Sequence, residues 1–486
     1  MAILRISTGV QGEAELESLA REVAGVSNGG TLMDKPAESA IKDPPRTLWG
    51  ILKSVGPGLI LTANIVGTGE LIATTRLGSQ VGFTLLWFII FSCFIKVFVQ
   101  VELGRYTISE GVGSLDAMNR LPGPRLRGVS WIIWMWVFMY MGTLSQMSGM
   151  VGGCAELFAS RDQRLLNTFC AVGTAVSCAV LLAVGRYALV EKLSTFMVVL
   201  FTLTNLVAVG FLQTTAFRFS AAEVRQGLSF HLPESLLTAF GVFGITGVGA
   251  AELIFYPIWC LEKGYARSVG PRADTPEWNE RARGWLRVMK YDAWLSMVVY
   301  TVATISFYLL GASILHRQGK TVGDTNTTET LSIMYTASLG SWGIWVFYIG
   351  AFMVLFSTLF VSTASNSRLG VDASMMMGLI KYRGPEERMK LVRWGVVIIP
   401  VAVLLVYLTV GKIVTLVLVG ATAQAIMLPF LGFAAIYFHH KRIPEGLRPG
   451  KAWTGFLWAS FLAMTAVGIF QAGKETGLWK AAGLVK

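Results

Sequence analysis

The chain has 486 residues, of which 53% are hydrophobic and only 14% are charged, and its formal net charge is +12. A soluble domain carries roughly 25% charged residues, so this composition, with a mean hydropathy of +0.58, excludes an ordinary soluble protein. We therefore predict an all-α integral membrane protein. The positive charge does not indicate nucleic-acid binding, because most Lys and Arg residues fall in loops on one predicted side of the membrane.

The N-terminal 48 residues are polar and carry a Pro44-Pro45 pair near their end, which predicts a flexible cytoplasmic tail. They contain no apolar core of a signal peptide. Eleven apolar stretches follow, each near the roughly 20 residues that cross a bilayer. They are approximately 50–76, 83–104, 129–157, 165–184, 190–212, 235–262, 291–312, 341–364, 392–409, 413–438 and 452–472.

The distribution of basic residues predicts the orientation of these spans. Lys and Arg concentrate in the tail and in segments such as 263–290 and 365–391, which the positive-inside rule places in the cytoplasm. Eleven spans then put the N-terminus inside and the C-terminus outside. Segment 313–330, rich in Gly, Thr and Asn, becomes an outer loop. We expect the protein in a cytoplasmic (inner) membrane of bacterial type.

A short phrase occurs twice, as V-G-T-G-E-L-I at 66–72 and as V-G-A-A-E-L-I at 248–254. Each copy places one glutamate, Glu70 or Glu252, within an apolar span. A carboxylate in hydrocarbon costs about 2.5–3.5 kcal/mol even on the scale derived from insertion experiments. Two glutamates at matching places in two halves predict a site built by an internal repeat, as in many secondary transporters.

The first and sixth spans, which contain the two copies, are also rich in glycine, which weakens a helix by about 1 kcal/mol per residue relative to alanine. We therefore predict that the first and sixth spans are broken helices, whose freed carbonyls and carboxylates are hard oxygen ligands for a divalent cation. The alternative is that these glycines serve close helix packing and that a protonated glutamate bonds to a neighbouring span. The predicted site contains Glu70 and Glu252 as carboxylate ligands, Gly67, Thr68, Gly249 and Ala250 from the breaks, and Asn64, Val66, Thr422 and Gln424 as neighbours.

Enzyme motifs are absent from the sequence. It has no G-x-x-x-x-G-K-[ST] loop, no H-E-x-x-H helix and no G-x-S-x-G elbow, so we predict no catalytic residues, no enzyme activity and no cofactor. Other charged residues within or near spans have structural explanations. Glu102 and Arg105 are spaced to pair, Asp292 fits an interface charge near Lys290, and Lys96 either belongs to the same cluster as Glu102 or lines an ion or proton exit.

The stretch 56–87, G-P-G-L-I-L-T-A-N-I-V-G-T-G-E-L-I-A-T-T-R-L-G-S-Q-V-G-F-T-L-L-W, resembles the first span of the Nramp-type divalent metal transporters. L-P-F at 428–430 resembles their tenth span, and the similarity covers most of 49–440. The resemblance implies a LeuT-type fold of inverted repeats. The first repeat would be 49–212, the second 235–438, and 452–472 would be an extra helix.

The resemblance also shows where this chain departs from the family. The family's D-P-G-N, whose Asp and Asn bind metal, is matched here by Gly67-Thr68-Gly69-Glu70. Its M-P-H, with a metal-binding Met and a His linked to proton movement, is matched by Ala250-Ala251-Glu252. Loss of the soft sulfur and gain of carboxylates favours hard ions such as Mg²⁺ and Mn²⁺.

We therefore expect a transporter whose substrate is a divalent cation, working by alternating access in the lipid bilayer. A hypothesis for coupling is that entry of the metal displaces a proton shared by the two carboxylates. The alternatives are transport of a small organic cation and a membrane scaffold or sensor that transports nothing. The sequence fixes no oligomeric state, and a monomer satisfies the predicted site.

Overall fold

The structure is a computed structural model that describes residues 41–160, 162–184, 187–231, 240, 242–244, 246–273, 275–324 and 327–477. The predicted tail up to residue 40 lies outside these residues. The last part of the tail is packed, because Lys42 N–H donates to Ser268 O (3.1 Å) and Trp285 Nε1 donates to Lys42 O (2.8 Å). The chain therefore joins the helical bundle before its first span begins.

Long helices account for nearly every predicted span. The first consists of Leu48–Ser54, Pro57–Ile65, a π-helical turn Gly69–Thr74 and Thr75–Val81, and the second to fifth are Leu86–Glu110, Trp131–Phe158, Arg164–Val184 and Tyr187–Leu212. The sixth continues after its break as Ala250–Lys263, and the seventh to eleventh are Pro276–Leu310 with a π-helical end Gly311–Leu315, Gly343–Met376, Pro385–Val410, Ile413–Lys441 and Lys451–Glu475. Shorter elements are the helices Ser114–Asn119, Ala221–Gly227, Tyr265–Val269 and Thr327–Leu339, the 3₁₀ turn Glu445–Leu447 and a hairpin of Arg125–Leu126 with Val129–Ser130.

Among the described residues, eight helices are long and apolar enough to cross a membrane, and the bent pair Leu48–Ser54 and Pro57–Ile65 makes a ninth. The third span, Trp131–Phe158, is one continuous helix of 28 residues, but it is not among those apolar helices. The sixth is interrupted by its break. The predicted all-helical membrane architecture is thus present, with two spans that apolarity alone does not single out.

Several predicted boundaries differ from the structure, and three of the differences concern the seventh span, the eighth span and the loop between them. The seventh span begins at Pro276, where Thr275 accepts a hydrogen bond from Trp278 N–H as helix cap. The eighth runs on to Met376, and a helix, Thr327–Leu339, begins within the predicted outer loop 313–330. Apolarity marks where a chain enters lipid, whereas capping and packing set where its helix ends, so helices extend beyond the apolar stretch.

The first and sixth spans lie at the centre of the bundle. Residues 60–75 and Ala250–Leu261 are all buried, whereas only 33% of the apolar window is buried in the fourth, fifth and ninth spans. The fourth, fifth and ninth spans therefore present apolar side chains to the lipid. Both central spans break as predicted, and these breaks set the position of the candidate site.

The second, tenth and eleventh spans are joined by a buried charge. Glu102 accepts hydrogen bonds from Arg105 Nε (3.2 Å) and Trp453 Nε1 (3.0 Å) and is 3.0 Å from His439 Nδ1. Arg105 Nη1 donates to Leu447 O (3.0 Å). The pairing of Glu102 with Arg105 follows the predicted spacing, and both side chains are buried within the protein.

Candidate functional site between the two broken helices

The break in the first span begins where its hydrogen-bond ladder is lost. Gly67 N–H donates to Ile65 O (2.8 Å) in place of Ala63 O, and Ala63 O lies 3.3 Å from the hydroxyls of Ser357 and Thr358 in the eighth span. A π-helical turn starts at Gly69. Side chains of another span thus satisfy a carbonyl that the broken helix leaves free.

The break in the sixth span lies at Gly247, whose φ of +64° is the left-handed conformation that glycine adopts without strain. Thr246 N–H still donates to Val242 O (2.9 Å), as in a helix. The next amide, that of Gly247, turns away and donates to Glu70 Oε1 (3.1 Å). The backbone of one break is therefore bonded to the carboxylate of the other.

Glu70 lies in the first turn after the break of the first span and is completely buried. Its Oε1 accepts hydrogen bonds from Gly247 N–H and from Thr304 Oγ1 (3.2 Å) in the seventh span. Its Oε2 accepts no hydrogen bond from any residue that the structure describes. A buried carboxylate oxygen without a donor carries a desolvation cost that a bound cation would offset.

Glu252 has the corresponding position in the other half, in the first turn of Ala250–Lys263. Asn64 Nδ2 donates to Glu252 Oε1 (2.5 Å), and Ser362 Oγ donates to Asn64 Oδ1 (2.7 Å). Each glutamate is thus held by a group from the opposite repeat. Both lie at the N-terminal end of a helical segment, where the backbone dipoles favour negative charge, and they are near enough to act on each other electrostatically.

A chain of hydrogen-bonded side-chain amides connects the break of the sixth span with the break of the first span. Gln424 Oε1 accepts from Ala251 N–H (3.0 Å), Gln424 Nε2 donates to Gln146 Oε1 (2.7 Å), and Gln146 Nε2 donates to Thr68 Oγ1 (3.3 Å). The third and tenth spans thereby connect the two broken segments. All of these side chains are buried, so the chain of hydrogen bonds fixes the separation of the two breaks.

Two glycines leave no room for a side chain. A β-carbon at position 67 would lie 2.7 Å from both Cβ and Cγ2 of Thr358, and one at position 249 would lie 2.5 Å from Gln424 Oε1 and from Glu252 Oε2. The position at which the family resemblance expects a metal-binding Asp is therefore filled by Thr358. The carboxylates of the site come from Glu70 and Glu252.

Lys96 is a buried residue beside the sixth-span break and not part of the cluster around Glu102. Its Nζ donates to Phe243 O (2.7 Å) and Thr246 O (2.5 Å) and lies 4.6 Å from the centre of the Phe243 ring. The side chain has no exposed surface. The prediction that it clusters with Glu102 fails because the second span turns Lys96 toward the sixth span, while Glu102 faces the tenth and eleventh.

Asp292 also differs from its predicted role as an interface charge near Lys290. It is buried, and its two oxygens accept from Gly56 N–H (2.8 Å) and Gly58 N–H (2.7 Å), with Tyr256 OH donating to the second (3.0 Å). The carboxylate therefore caps the start of Pro57–Ile65, the half of the first span that precedes the break, and ties it to the sixth and seventh spans.

The structure brings most of the predicted site residues together. Hydrogen bonds connect Glu70, Glu252, Asn64, Thr68 and Gln424 to the two breaks. Val66, Gly67, Gly249 and Ala250 form the buried backbone of those breaks. Thr422 lies apart, since its hydroxyl accepts from Gln471 Nε2 (3.0 Å) of the eleventh span.

Sequence reasoning missed Gln146, Thr304 and Thr358 as site residues. Each is a buried polar side chain within an apolar span, and that is the signal that could have identified it. The same signal marks many polar residues that only bond to their own helix. Only the packing of the third, seventh and eighth spans against the breaks distinguishes these three.

The donor set suits a hard cation. Among the described residues, no group of three His, Cys, Asp or Glu side chains is arranged to hold a metal ion. The groups available are two carboxylates, amide and hydroxyl oxygens, and backbone carbonyls. Such oxygen donors match ions that keep part of their water shell, as Mg²⁺ does.

Comparison with known proteins gives consistent matches over most of the chain. The family model described as natural resistance-associated macrophage protein-like, Nramp, matches residues 58–471. The chain is 23% identical over 451 residues to the divalent metal cation transporter MntH of Bacillus subtilis, covering 90% of this chain and 95% of that protein. It is 23% identical over 435 residues to MntH of Xanthomonas campestris, covering 86% and 89%.

Solved structures share the fold. A mutant of the Eremococcus coleocola manganese transporter has a TM-score of 0.66 at 14% identity and covers 92% of each chain. MhsT with L-phenylalanine has a TM-score of 0.55 at 12% identity, covering 88% of this chain and 99% of that one. The nucleobase-cation-symport-1 transporter Mhp1 has 0.51 at 13%, covering 94% and 98%. The predicted LeuT-type fold is confirmed.

Proposed function

Because this chain belongs to the Nramp family, we propose that it is a secondary transporter that carries a divalent metal cation across the membrane by alternating access. One observation supports this most directly: Glu70 Oε2 is buried between the two broken helices with no hydrogen-bond donor among the described residues. The relatives named as divalent metal cation transporters support the same substrate class.

The proposed ion lies between the two breaks, with Glu70 and Glu252 as its charged ligands. Backbone carbonyls near Val66, Gly67 and Gly249 complete the shell together with water. Alanine at position 250 supplies no sulfur, and the other groups of the site are oxygen donors. We therefore propose a preference for hard ions, Mg²⁺ and Mn²⁺, over softer transition metals.

The proposal includes coupling to a proton and an orientation. Two carboxylates in one apolar site repel each other, so a proton on one of them relieves the repulsion when no cation is bound. Entry of the metal then releases that proton. The concentration of basic residues on one predicted side supports the proposed orientation, with the N-terminus in the cytoplasm and the C-terminus outside. Metal uptake that stays unchanged when the proton gradient is collapsed would contradict the coupling.

Uptake of Mn²⁺ and Mg²⁺ into proteoliposomes tests the proposal. Glu70→Gln and Glu252→Gln should each lower uptake by about tenfold or more, because each removes a charged ligand worth about 1.5–3 kcal/mol. Glu110→Gln is the matched control: Glu110 lies at the end of the second span, is paired with the partly exposed Arg272, and should leave uptake unchanged.

The outcomes separate the candidate substrates. The two-carboxylate site is supported if wild type shows saturable uptake, both site variants lose it, and all proteins elute as folded species. The ion that wild type takes up best then shows whether the site prefers hard or soft metals. Failure of well-folded wild type to take up any divalent cation would refute the proposal. Amines would then be the next substrates to assay.

A further inference from the structure

Among the residues that the structure describes, Lys96 is a charged side chain beside the sixth-span break that the proposed transport does not use. It has no exposed surface, and its ammonium donates to two backbone carbonyls, Phe243 O at 2.7 Å and Thr246 O at 2.5 Å. The hydroxyl of Ser92, one turn earlier on the same helix, also donates to Thr246 O (3.3 Å). The second span thus supplies donors to the carbonyls at the break.

These carbonyls are available because the helix breaks. In a continuing helix, the amide of Gly247 would donate to Phe243 O. Here that amide donates to Glu70 Oε1 instead. The same turn of backbone at Gly247 therefore gives Glu70 a donor and leaves Phe243 O in need of one. The Lys96 ammonium is the donor that Phe243 O receives. The hydrogen bonds of Lys96 and of Glu70 therefore both depend on the backbone turn at Gly247.

The charge of Lys96 also acts on the site. Its ammonium is near enough to interact electrostatically with both Glu70 and Glu252. An ammonium buried in an apolar interior is costly unless it is close to acceptors and negative charge. With both glutamates ionised, the lysine reduces the net negative charge of the site from −2 to −1. A divalent cation then enters a site that already contains one fixed positive charge.

We propose that the Lys96 ammonium occupies a monovalent-cation site at the end of the first half of the sixth span, so that transport by this chain requires no alkali ion. Lys96 is a positioning residue: it holds the freed carbonyls of Phe243 and Thr246 and keeps Gly247 turned toward Glu70. Removal of the ammonium leaves the two carbonyl oxygens without a positively charged partner. Na⁺ or K⁺ from solution can take the place of the ammonium.

The decisive variant is Lys96→Met, which keeps an unbranched chain and removes the charged group. Lys96→Arg retains the charge. The matched control is Lys290→Met, because Lys290 lies over the Trp453 ring and its substitution removes a lysine away from the break. Each protein is purified as the full chain, and its melting temperature is measured in N-methylglucamine chloride and in NaCl or KCl of equal ionic strength.

Lys96→Met should melt lower than wild type in N-methylglucamine chloride and should regain stability saturably with Na⁺ or K⁺. Wild type, Lys96→Arg and Lys290→Met should show no such alkali-specific change. A merely structural role would lower the melting temperature without making it depend on the alkali ion. Absence of an alkali-specific shift in folded Lys96→Met would overturn the proposal, whether or not that variant transports.

Uptake in proteoliposomes provides the second readout, which rests on the proposed function. Divalent-cation uptake by wild type should be the same with N-methylglucamine, Na⁺ or K⁺. Uptake by Lys96→Met should fall by roughly tenfold without alkali ions, as expected for loss of a charge-assisted hydrogen bond, and recover when they are added. Alkali dependence of wild-type uptake would overturn the proposal. Absence of uptake by wild type would refute the metal proposal alone, because the melting experiment still decides the role of Lys96.

Discussion

Gly67 in the first span and Thr358 in the eighth are packed so closely that the side chain of the threonine takes the space of any side chain at position 67. A β-carbon there would lie 2.7 Å from Thr358 Cβ and Cγ2. Gly67→Ala should therefore destabilise the protein by about 1–3 kcal/mol, the usual cost of overpacking a well-filled interior. The melting temperature of the purified variant measures this.

A second substitution tests whether the threonine is the cause. Thr358→Gly removes Cβ, Cγ2 and Oγ1, the three side-chain atoms that crowd position 67, so the double variant should recover most of the stability that Gly67→Ala loses. Gly173→Ala is the control, because a β-carbon at that membrane helix position meets no atom within 4 Å. Equal losses in Gly67→Ala with and without Thr358→Gly would show that the clash lies elsewhere.

Asp292 is predicted to hold the first half of the first span in place. Asp292→Asn replaces one accepting oxygen by an amide, so one of the Gly56 and Gly58 N–H groups loses its acceptor, at a cost of about 1–3 kcal/mol. Backbone amides near Gly58 should then exchange hydrogen with solvent faster. Hydrogen-exchange mass spectrometry of the full chain in detergent measures this.

Tyr256→Phe serves as the graded comparison, because it removes only the hydroxyl that donates to Asp292 (3.0 Å) and leaves both backbone bonds. We expect a smaller increase in exchange at the same amides. If Asp292→Asn leaves the exchange of this segment unchanged, the carboxylate does not restrain the helix start.

Gln424 should matter for transport, whereas its neighbour Thr422 should not. Gln424→Leu leaves the buried Ala251 N–H without an acceptor and breaks the amide chain to Gln146. We expect divalent-cation uptake to fall by about tenfold, since an unsatisfied buried donor costs about 1–3 kcal/mol. Thr422→Val loses only a hydrogen bond from Gln471 and should transport like wild type. Similar uptake by both variants would contradict the assignment of Gln424 to the site.

Glu102 is expected to be the largest single contributor to the attachment of the eleventh span. Glu102→Gln leaves Arg105 buried without its counter-charge, which should cost about 3–5 kcal/mol and lower the melting temperature substantially. Glu110→Gln, on the same helix, breaks a pair with a partly exposed arginine and should change stability by about 0–1 kcal/mol. A small effect of Glu102→Gln would show that other contacts hold the eleventh span, such as the hydrogen bond from Ser460 Oγ to Ile95 O (2.6 Å).

Much of this architecture could be predicted from the sequence because the relevant forces are local. Apolar stretches of the right length must lie in lipid, and repeated glycines weaken a helix regardless of which helices surround it. The breaks near Gly67 and Gly247 therefore lie in the stretches that the sequence indicated. The matched positions of Glu70 and Glu252 follow from the internal repeat alone.

The tertiary structure alone decided which groups surround those glutamates. Thr304, Thr358 and Lys96 reach the breaks from spans far apart in the chain, and Asp292 caps a helix that begins more than two hundred residues earlier. Periodicity and composition describe one segment at a time. Partners across helices depend on the rotation and separation of packed spans, which the energy of the whole bundle determines.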